Sequence, residues 1–554
     1  MPTIEVSLKT FGKLAGKTMT EKDLEIVKGE IEAVDKNRAK IEIGDTNRPD
    51  LWSVEGIVRA IKAYNGKKPG QLRVKNSGKK IIVDKKLAEI RPFIAGFIAK
   101  FVQVDEDLLL DLIQLQDKLA ENYGKKRKKI SVGIYNHDRI KFPVHYKAVD
   151  PSQAQFIPLE FEKPVTLKEV LEEHPKGKEY GYILHDHKLF PLFIDSKEEV
   201  LSFPPIINSN YIGKVEPGSQ NLFIEVTGTD HKAVLLATNI FALALQDRGA
   251  KIESVVSSYP WKTKYGTNVS APYIFNEKIS FDRSRIKDAL GIELNDKEIK
   301  SLMEKMLYGA KITGSKIIAA IPDYRNDVMH LNDVIEDIAI AYGYENFTDM
   351  DITSSTTGSL KERTLFSEKL RRIMIGAGFQ ELLSNILTSK KILCNQMMYD
   401  EDIIEIDNAM SENYSAVRNW LIPIMLQALQ RNMHNEYPQK IFEFGECVVR
   451  NEQSNDYTKT VNRIGGAISD INIGYEQISS IVDALFSSLE ISYELQPMDH
   501  NSFIKGRCAK IIIDSKFAGI AGEIHPQVLN NFGIEKAVVV FELDADLLYQ
   551  VVKK

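Results

Sequence analysis

Two polar, loop-forming stretches divide this chain of 554 residues, and their positions limit the possible folds more than any other feature. Ser257 to Pro272 is rich in Pro, Gly, Ser and Thr with single aromatics, and Thr353-Ser-Ser-Thr-Thr-Gly-Ser359 is wholly polar. Such composition neither sustains a helical period nor fills a core, so each stretch reads as a link between domains. Length alone suggests roughly three to five domains. The expected division is a mixed α/β module over 1–85, a strand-rich domain over 86–258, a mainly helical module over 273–348 and one large domain over 360–554. The fold class is α+β, multidomain.

Periodicity places the elements. Thr20 is positioned to cap a helix through Leu24, Val27 and Ile31, and Ile41-Glu-Ile43 reads as a strand. Asn47-Arg-Pro-Asp50 is turn chemistry, because Pro49 keeps Arg48 extended. The following helix buries Val54, Ile57, Val58 and Ile61; Asn47 and Arg48 read as fixing a tight entry turn or an inter-subunit contact, with direct catalysis the alternative. Ile90 to Val104 alternates and leads to an amphipathic helix carrying Leu108, Leu109, Leu112, Ile113 and Leu115. Leu222-Phe-Ile-Glu-Val226 is a strand, and helix 231–248 packs Val234, Leu235, Ala237 and Ile240 on it. Gly291 closes a helix over Ser284 to Leu290, and Asn295 with Glu298 opens the next. In the large domain, helix 360–378 buries Leu365, Phe366, Leu370, Ile373 and Met374. Strands follow at 441–444, 463–468, 509–513 and 537–541.

Hydrophobic content of 43% is enough for real cores. A net charge of -5 excludes a uniformly basic nucleic-acid coat, so any RNA contact must use local patches. Cys394, Cys447 and Cys508 form neither a disulfide framework nor a zinc motif and fit a reducing cytosol. No secretory signal is visible at the N-terminus, and no apolar run is long enough to cross a bilayer. The expected location is cytoplasmic.

Three clusters carry possible chemistry. The first is acidic: Asp333, Glu336 and Asp337 stand at i, i+3 and i+4 behind the N-cap candidate Asn332, with Asp327 just upstream. Four gathered carboxylates suit a hard cation such as Mg²⁺. Equally, acids at a helix N-terminus can simply complement the macrodipole. The second is Lys125-Lys-Arg-Lys-Lys129, which is either a solvated loop or a phosphate clamp. The third, His185-Asp-His187, reads as surface histidines on a strand, because no further ligand has metal spacing.

The spacing of Asp327, Asp333, Glu336 and Asp337 before Ala341-Tyr-Gly-Tyr344 resembles the metal signature of the phenylalanyl-tRNA synthetase beta-subunit family. Thr46-Asn-Arg-Pro-Asp-Leu-Trp-Ser-Val-Glu-Gly56 is similar to that family's N-terminal motif. Gly124-Lys-Lys-Arg-Lys-Lys-Ile-Ser-Val-Gly-Ile134 and Pro204-Pro-Ile-Ile-Asn-Ser209 resemble segments of its archaeal and eukaryotic branch. Asn408-Ala-Met-Ser-Glu-Asn-Tyr-Ser-Ala-Val-Arg418, Gly506-Arg-Cys-Ala509 and Gly522-Glu-Ile-His-Pro526 match its C-terminal domain. These ordered matches run across nearly the whole chain.

The resemblance implies a tRNA-editing domain over 86–258, a DNA-binding-like module with a Mg²⁺ site over 273–348, and a class II synthetase-like antiparallel domain over 360–554. That last domain is expected to be non-catalytic. Its strand Lys440-Ile-Phe-Glu-Phe-Gly-Glu446 has no Arg before Glu443, and the second arginine position offers only Lys505-Gly-Arg507. Activation with ATP, Mg²⁺ and phenylalanine would then belong to a catalytic alpha subunit, in a complex of two alpha and two beta chains acting on phenylalanine tRNA. Editing would remove tyrosine from mischarged tRNA, since one hydroxyl separates it from phenylalanine. The implied editing residues are Asn208, Ser209 and Asn210 with Glu225, Thr227, Thr229 and Asp230. The bacterial oligonucleotide-binding barrel and anticodon domain are not expected here. A free-standing aminoacyl-tRNA deacylase and a non-enzymatic tRNA-binding scaffold are the alternatives.

Overall fold

The apolar run around Leu222 becomes the middle of strand Asn221–Gly228, which lies antiparallel between Phe93–Lys100 and Ile130–Asn136. The structure is a computed structural model describing residues 2–35, 37–67, 71–349, 351 and 355–553. It divides into two units, 1–350 and 351–554.

In the first unit, ten strands form one sheet. Its order is Ile207–Asn208, Val200–Phe203, Phe190–Ile194, Val144–Val149, Val74–Val83, Lys251–Thr263, Phe93–Lys100, Asn221–Gly228 and Ile130–Asn136, with Gly266–Ala271 added on Lys251–Thr263. Helix His231–Asp247 is buried along nearly its whole length and packs on Phe93–Lys100 and Asn221–Gly228. The sheet curls until its ends meet: Asn208 Nδ2 donates to Ile134 O at 3.3 Å, and the Tyr135 and Ser202 hydroxyls share a hydrogen bond at 2.8 Å.

The sheet corrects both expected boundaries of this domain. Val74–Val83, placed in the N-terminal module, pairs parallel with Lys251–Thr263 and Val144–Val149. Ser257 to Pro272, read as a link, is mostly two paired strands. Its aromatics Tyr259, Trp261 and Tyr265 pack against the core, and local composition could not show that.

The N-terminal part holds a three-stranded sheet (Thr3–Ser7, Arg38–Ile43, Gly29–Asp35) and helix Val54–Tyr64, capped by Ser53. The helix after Thr20 ends at Glu25. Lys28 turns left-handed (φ 49°), so Ile31 joins a strand instead of a helix. Beyond the central sheet, Lys278–Asp282, Lys316–Ala320 and Gly309–Thr313 form a small sheet with helices Ser284–Leu290, Asp296–Lys305 and Leu331–Tyr342. The cap of the last helix is His330, whose ring nitrogen accepts from Asn332 N, so Asn332 lies inside the helix. His185 sits in a turn and His187 just after it, neither on a strand.

The second unit is built on a seven-stranded sheet ordered Gln380–Glu381, Gln439–Arg450, Thr458–Asp470, Ala537–Asp544, Lys516–Ile524, Phe503–Ile513 and Glu494–Pro497. Only the first pair is parallel. Two cores flank it, one using helices Glu362–Gly376 and Tyr475–Leu489, the other Ile422–Arg431 and Pro526–Phe532. Leu365, expected inside, is 54% exposed. Of the second expected link, Thr353 and Ser354 lie outside the described residues. No helix among the described residues is long and apolar enough to cross a membrane.

Candidate active site

A cavity of about 230 Å³ opens where the curled sheet meets the helix Glu106–Lys118, walled by Leu112, Ile134, Phe203 and Ile206 among others. That is smaller than the roughly 300–1,000 Å³ of drug-sized sites and suits a single side chain. Its polar lining includes Glu225, Ser131, Ser202, Asn208 and Arg127.

Glu225 is 2% exposed and sits in the apolar middle of its strand, after Leu222, Phe223 and Ile224 and before Val226. It faces a glycine on both sides, Gly96 and Gly133. A Cβ on Gly133 would lie 2.1 Å from Tyr135 Oη and 2.6 Å from Glu225 Oε1, so the glycine makes room for the carboxylate and its donor. Tyr135 Oη donates to Glu225 Oε1 at 2.8 Å, while Oε2 has no hydrogen-bond partner in the structure. Burial raises this carboxyl from 4.5 to about 7, against the opposing pull of the Tyr135 hydrogen bond and of Arg91.

That shift has a sign. The folded state holds the proton over a range in which the unfolded state has released it, so stability falls as pH rises through this range. Glu225→Gln removes the titration and keeps the acceptor for Tyr135. Urea unfolding at several pH values should show the variant gaining on wild type between pH 4.5 and about 7. The gain should reach on the order of 3 kcal/mol.

Arg91 holds Ser131 from behind the cavity wall. It is 1% exposed, and its Nε donates to Thr227 Oγ1 at 3.0 Å while Nη2 donates to Ser131 Oγ at 3.0 Å and Thr227 O at 2.8 Å. Ser131 Oγ and Thr227 Oγ1 are themselves 3.0 Å apart.

The residues nominated from sequence therefore separate. Asn208 and Glu225 line the cavity, and Thr227 lies behind Ser131. Ser209 Oγ accepts from Ile212 N and Gly213 N, and Asn210 Nδ2 donates to Phe161 O at 3.3 Å, so both shape the adjoining turn. Thr229 Oγ1 donates to Lys128 O, while Asp230 caps helix His231–Asp247 and pairs with Lys129. Arg91, Ser131, Tyr135 and Ser202 were missed. The available signal was one carboxylate in an apolar strand with Gly133 and Gly96 on strands able to flank it.

The acidic helix assembles differently. Arg325, 4% exposed, donates to Asp337 Oδ2 at 2.8 Å and pairs with both oxygens of Asp327. Tyr308 Oη donates to the same Asp337 oxygen at 2.6 Å. Arg48 pairs with Asp50 at 2.8 Å and lies 3.6 Å from Asp327, tying the N-terminal turn into the cluster. Asp333 Oδ2 accepts from Met329 N and His330 N at 2.7 Å, and Glu336 pairs with Lys28 at 3.0 Å. A guanidinium thus occupies the place expected for a cation between Asp327 and Asp337. The four acids do not form one ligand set, and no group of three or more His, Cys, Asp or Glu among the described residues could hold a metal.

In the second unit, Glu443 is fully buried against Arg418 at 2.7 Å, and Ser384 Oγ donates to its other oxygen at 2.6 Å. Arg418 arrives from a segment distant in sequence, so strand reading alone did not pair it with Glu443. Arg507 pairs with Glu523 at 2.7 Å.

The family model described as phenylalanyl tRNA synthetase beta chain CLM domain matches residues 348–545, and the tRNA synthetase B5 domain matches 279–344. The phenylalanine–tRNA ligase beta subunit of Pyrococcus horikoshii is 37% identical over 99% of this chain and 100% of its own length. That of Borreliella burgdorferi is 38% identical over 99% of each. The solved N-terminal fragment of the Pyrococcus horikoshii phenylalanyl-tRNA synthetase beta subunit is 39% identical. It covers 62% of this chain and 100% of that fragment, with a TM-score of 0.59.

Proposed function

Since the chain belongs to the phenylalanine–tRNA ligase beta-subunit family, we propose that it works beside a catalytic alpha subunit, as two of each, in the cytoplasm. The complex joins phenylalanine to its tRNA through an adenylate made from ATP, with Mg²⁺ entering alongside the nucleotide. Binding the ATP phosphates calls for free guanidinium groups. In this chain Arg418 is locked in a buried pair with Glu443, which supports placing activation on the partner. The chain alone should give no phenylalanine-dependent pyrophosphate exchange, and exchange should appear when the alpha subunit is added. Robust exchange by the chain alone overturns this division of labour.

The second activity is hydrolysis of Tyr-tRNA, and the buried, half-satisfied Glu225 in the cavity wall is the observation that supports it. A tyrosine side chain entering the cavity would donate a hydrogen bond from its phenol to Glu225 Oε2. Phenylalanine would leave that acceptor desolvated and unpaired. Water adds to the ester carbonyl, the bond to the tRNA ribose breaks, and tyrosine leaves. Asn208 and Ser131, polar donors in the cavity lining, are the groups offered to the oxyanion that forms there. The assembled enzyme should release tyrosine from Tyr-tRNA much faster than phenylalanine from Phe-tRNA.

The acidic helix retains a smaller metal role in this reading. Mg²⁺ commonly keeps several waters and takes only one or two carboxylates. Asp333 and Glu336, the two acids not held by Arg325, are the pair left for it. Titration of the assembled enzyme should show a several-fold weaker Mg²⁺ response in Asp333→Asn. An identical response assigns the acids wholly to folding.

A further inference from the structure

The basic run Lys125–Lys129 is a rigid device rather than a loose charged loop. Lys125, Lys126 and Arg127 are consecutive left-handed residues, with φ of 50°, 51° and 63°. For residues with a side chain that conformation costs roughly 1–2 kcal/mol each. It persists because the backbone is pinned from both sides. The N–H groups of Lys125, Lys126, Arg127 and Lys129 donate to the carbonyls of Asn122, Glu121, Ala120 and Gly124 at 2.7–3.1 Å. The buried Arg91 donates to the carbonyls of Arg127 and Lys128 at 3.1 and 3.3 Å. Gly124 is required beneath them, since a Cβ there would meet Ala120 O at 2.3 Å.

The turn sorts its charges. Arg127 points inward: it donates to Ile206 O at 2.8 Å, stacks on Tyr180 and joins the cavity wall. Glu121 lies 3.8 Å from Arg127, and Asp230 pairs with Lys129 at 3.2 Å. The other lysines of the cavity wall, Lys176 and Lys214, pair with Glu179 and Glu216. Lys125, Lys126 and Lys128 are exposed, with no carboxylate in ion-pair range among the described residues. Lys128 lies 5.1 Å over Tyr182, a ring 42% exposed.

We propose that this turn clamps the single-stranded 3′ end of an RNA, with Lys125, Lys126 and Lys128 on its phosphates and Tyr182 under a base. An aminoacyl ester that puts only its side chain into the small cavity must leave its polyanionic carrier outside. Uncommitted cations next to Arg127, beside an exposed ring, are what that carrier needs. The inference rests on the reading of the cavity as an ester-hydrolysing site.

The test uses the full chain and two uncharged RNA minihelices, one with a 3′ single-stranded tail and one blunt. Lys125→Gln/Lys126→Gln should weaken binding of the tailed RNA on the order of tenfold near ~0.1 M salt. The slope of log affinity against log salt should shrink by about 1.4, two single-strand contacts. Blunt RNA should bind the variant and wild type alike. Unchanged affinity and slope for the tailed RNA overturn the clamp, as does an equal loss for the blunt duplex. Tyr-tRNA hydrolysis by the wild-type complex is scored separately. Hydrolysis with unaltered binding removes the clamp and keeps the cavity reading. Binding loss without hydrolysis does the reverse.

Discussion

Replacing Arg325 with Met should destabilise the first unit by about 3–5 kcal/mol, the cost of breaking a buried ion pair from one side. Arg325 is 4% exposed, and Asp337 is 6% exposed. Methionine roughly fills the space but leaves Asp337 with only the Tyr308 hydroxyl and Asp327 with the more distant Arg48. Urea unfolding followed by tryptophan fluorescence, with Trp261 and Trp420 replaced by Phe so that the buried Trp52 alone reports, reads this directly. Adding Asp337→Asn to the Arg325→Met chain should recover part of the loss, because the charge left behind is then gone. A midpoint unchanged in Arg325→Met would mean that the acids do not depend on this guanidinium, and the metal reading would regain all four.

The same cluster shows what the sequence made legible and what it did not. The acids at 333, 336 and 337 announced a charged helix start, and the helix is there. Their neutraliser, Arg325, stood two residues from Asp327, yet its partner Asp337 is recognised only once the chain folds back. Sequence spacing reports which groups share a helix face. It does not report which cation reaches that face from another element. Glu225 follows the same rule. Its strand was readable from periodicity, but its significance comes from Gly133 opposite and Tyr135 alongside, both set by strand register. The candidates that failed to reach the cavity, Ser209, Asn210, Thr229 and Asp230, are polar residues in turns, and here they bond to nearby backbone. The strand Val74–Val83 was misplaced for a related reason: it pairs with Lys251–Thr263, some 175 residues on, and nothing local marks such a partner.

Glu225→Gln is the sharpest probe of the editing cavity, because it keeps shape and the Tyr135 contact while removing the charge. A hydrogen bond to a charged acceptor contributes about 1.5–3 kcal/mol, so discrimination should fall by about 10- to 100-fold. Phenylalanine charging by the complex should not change, since activation is placed on the partner subunit. The variant also carries its own folding control, the pH-dependent gain in stability set by the titration of the native carboxyl.

The most direct measurement is the ratio of Tyr-tRNA to Phe-tRNA hydrolysis rates by the assembled enzyme, wild type against Glu225→Gln. A large ratio in wild type that drops by one to two orders of magnitude in the variant is the expected result. A variant that keeps the full tyrosine preference, or a wild type that hydrolyses neither ester, would contradict it.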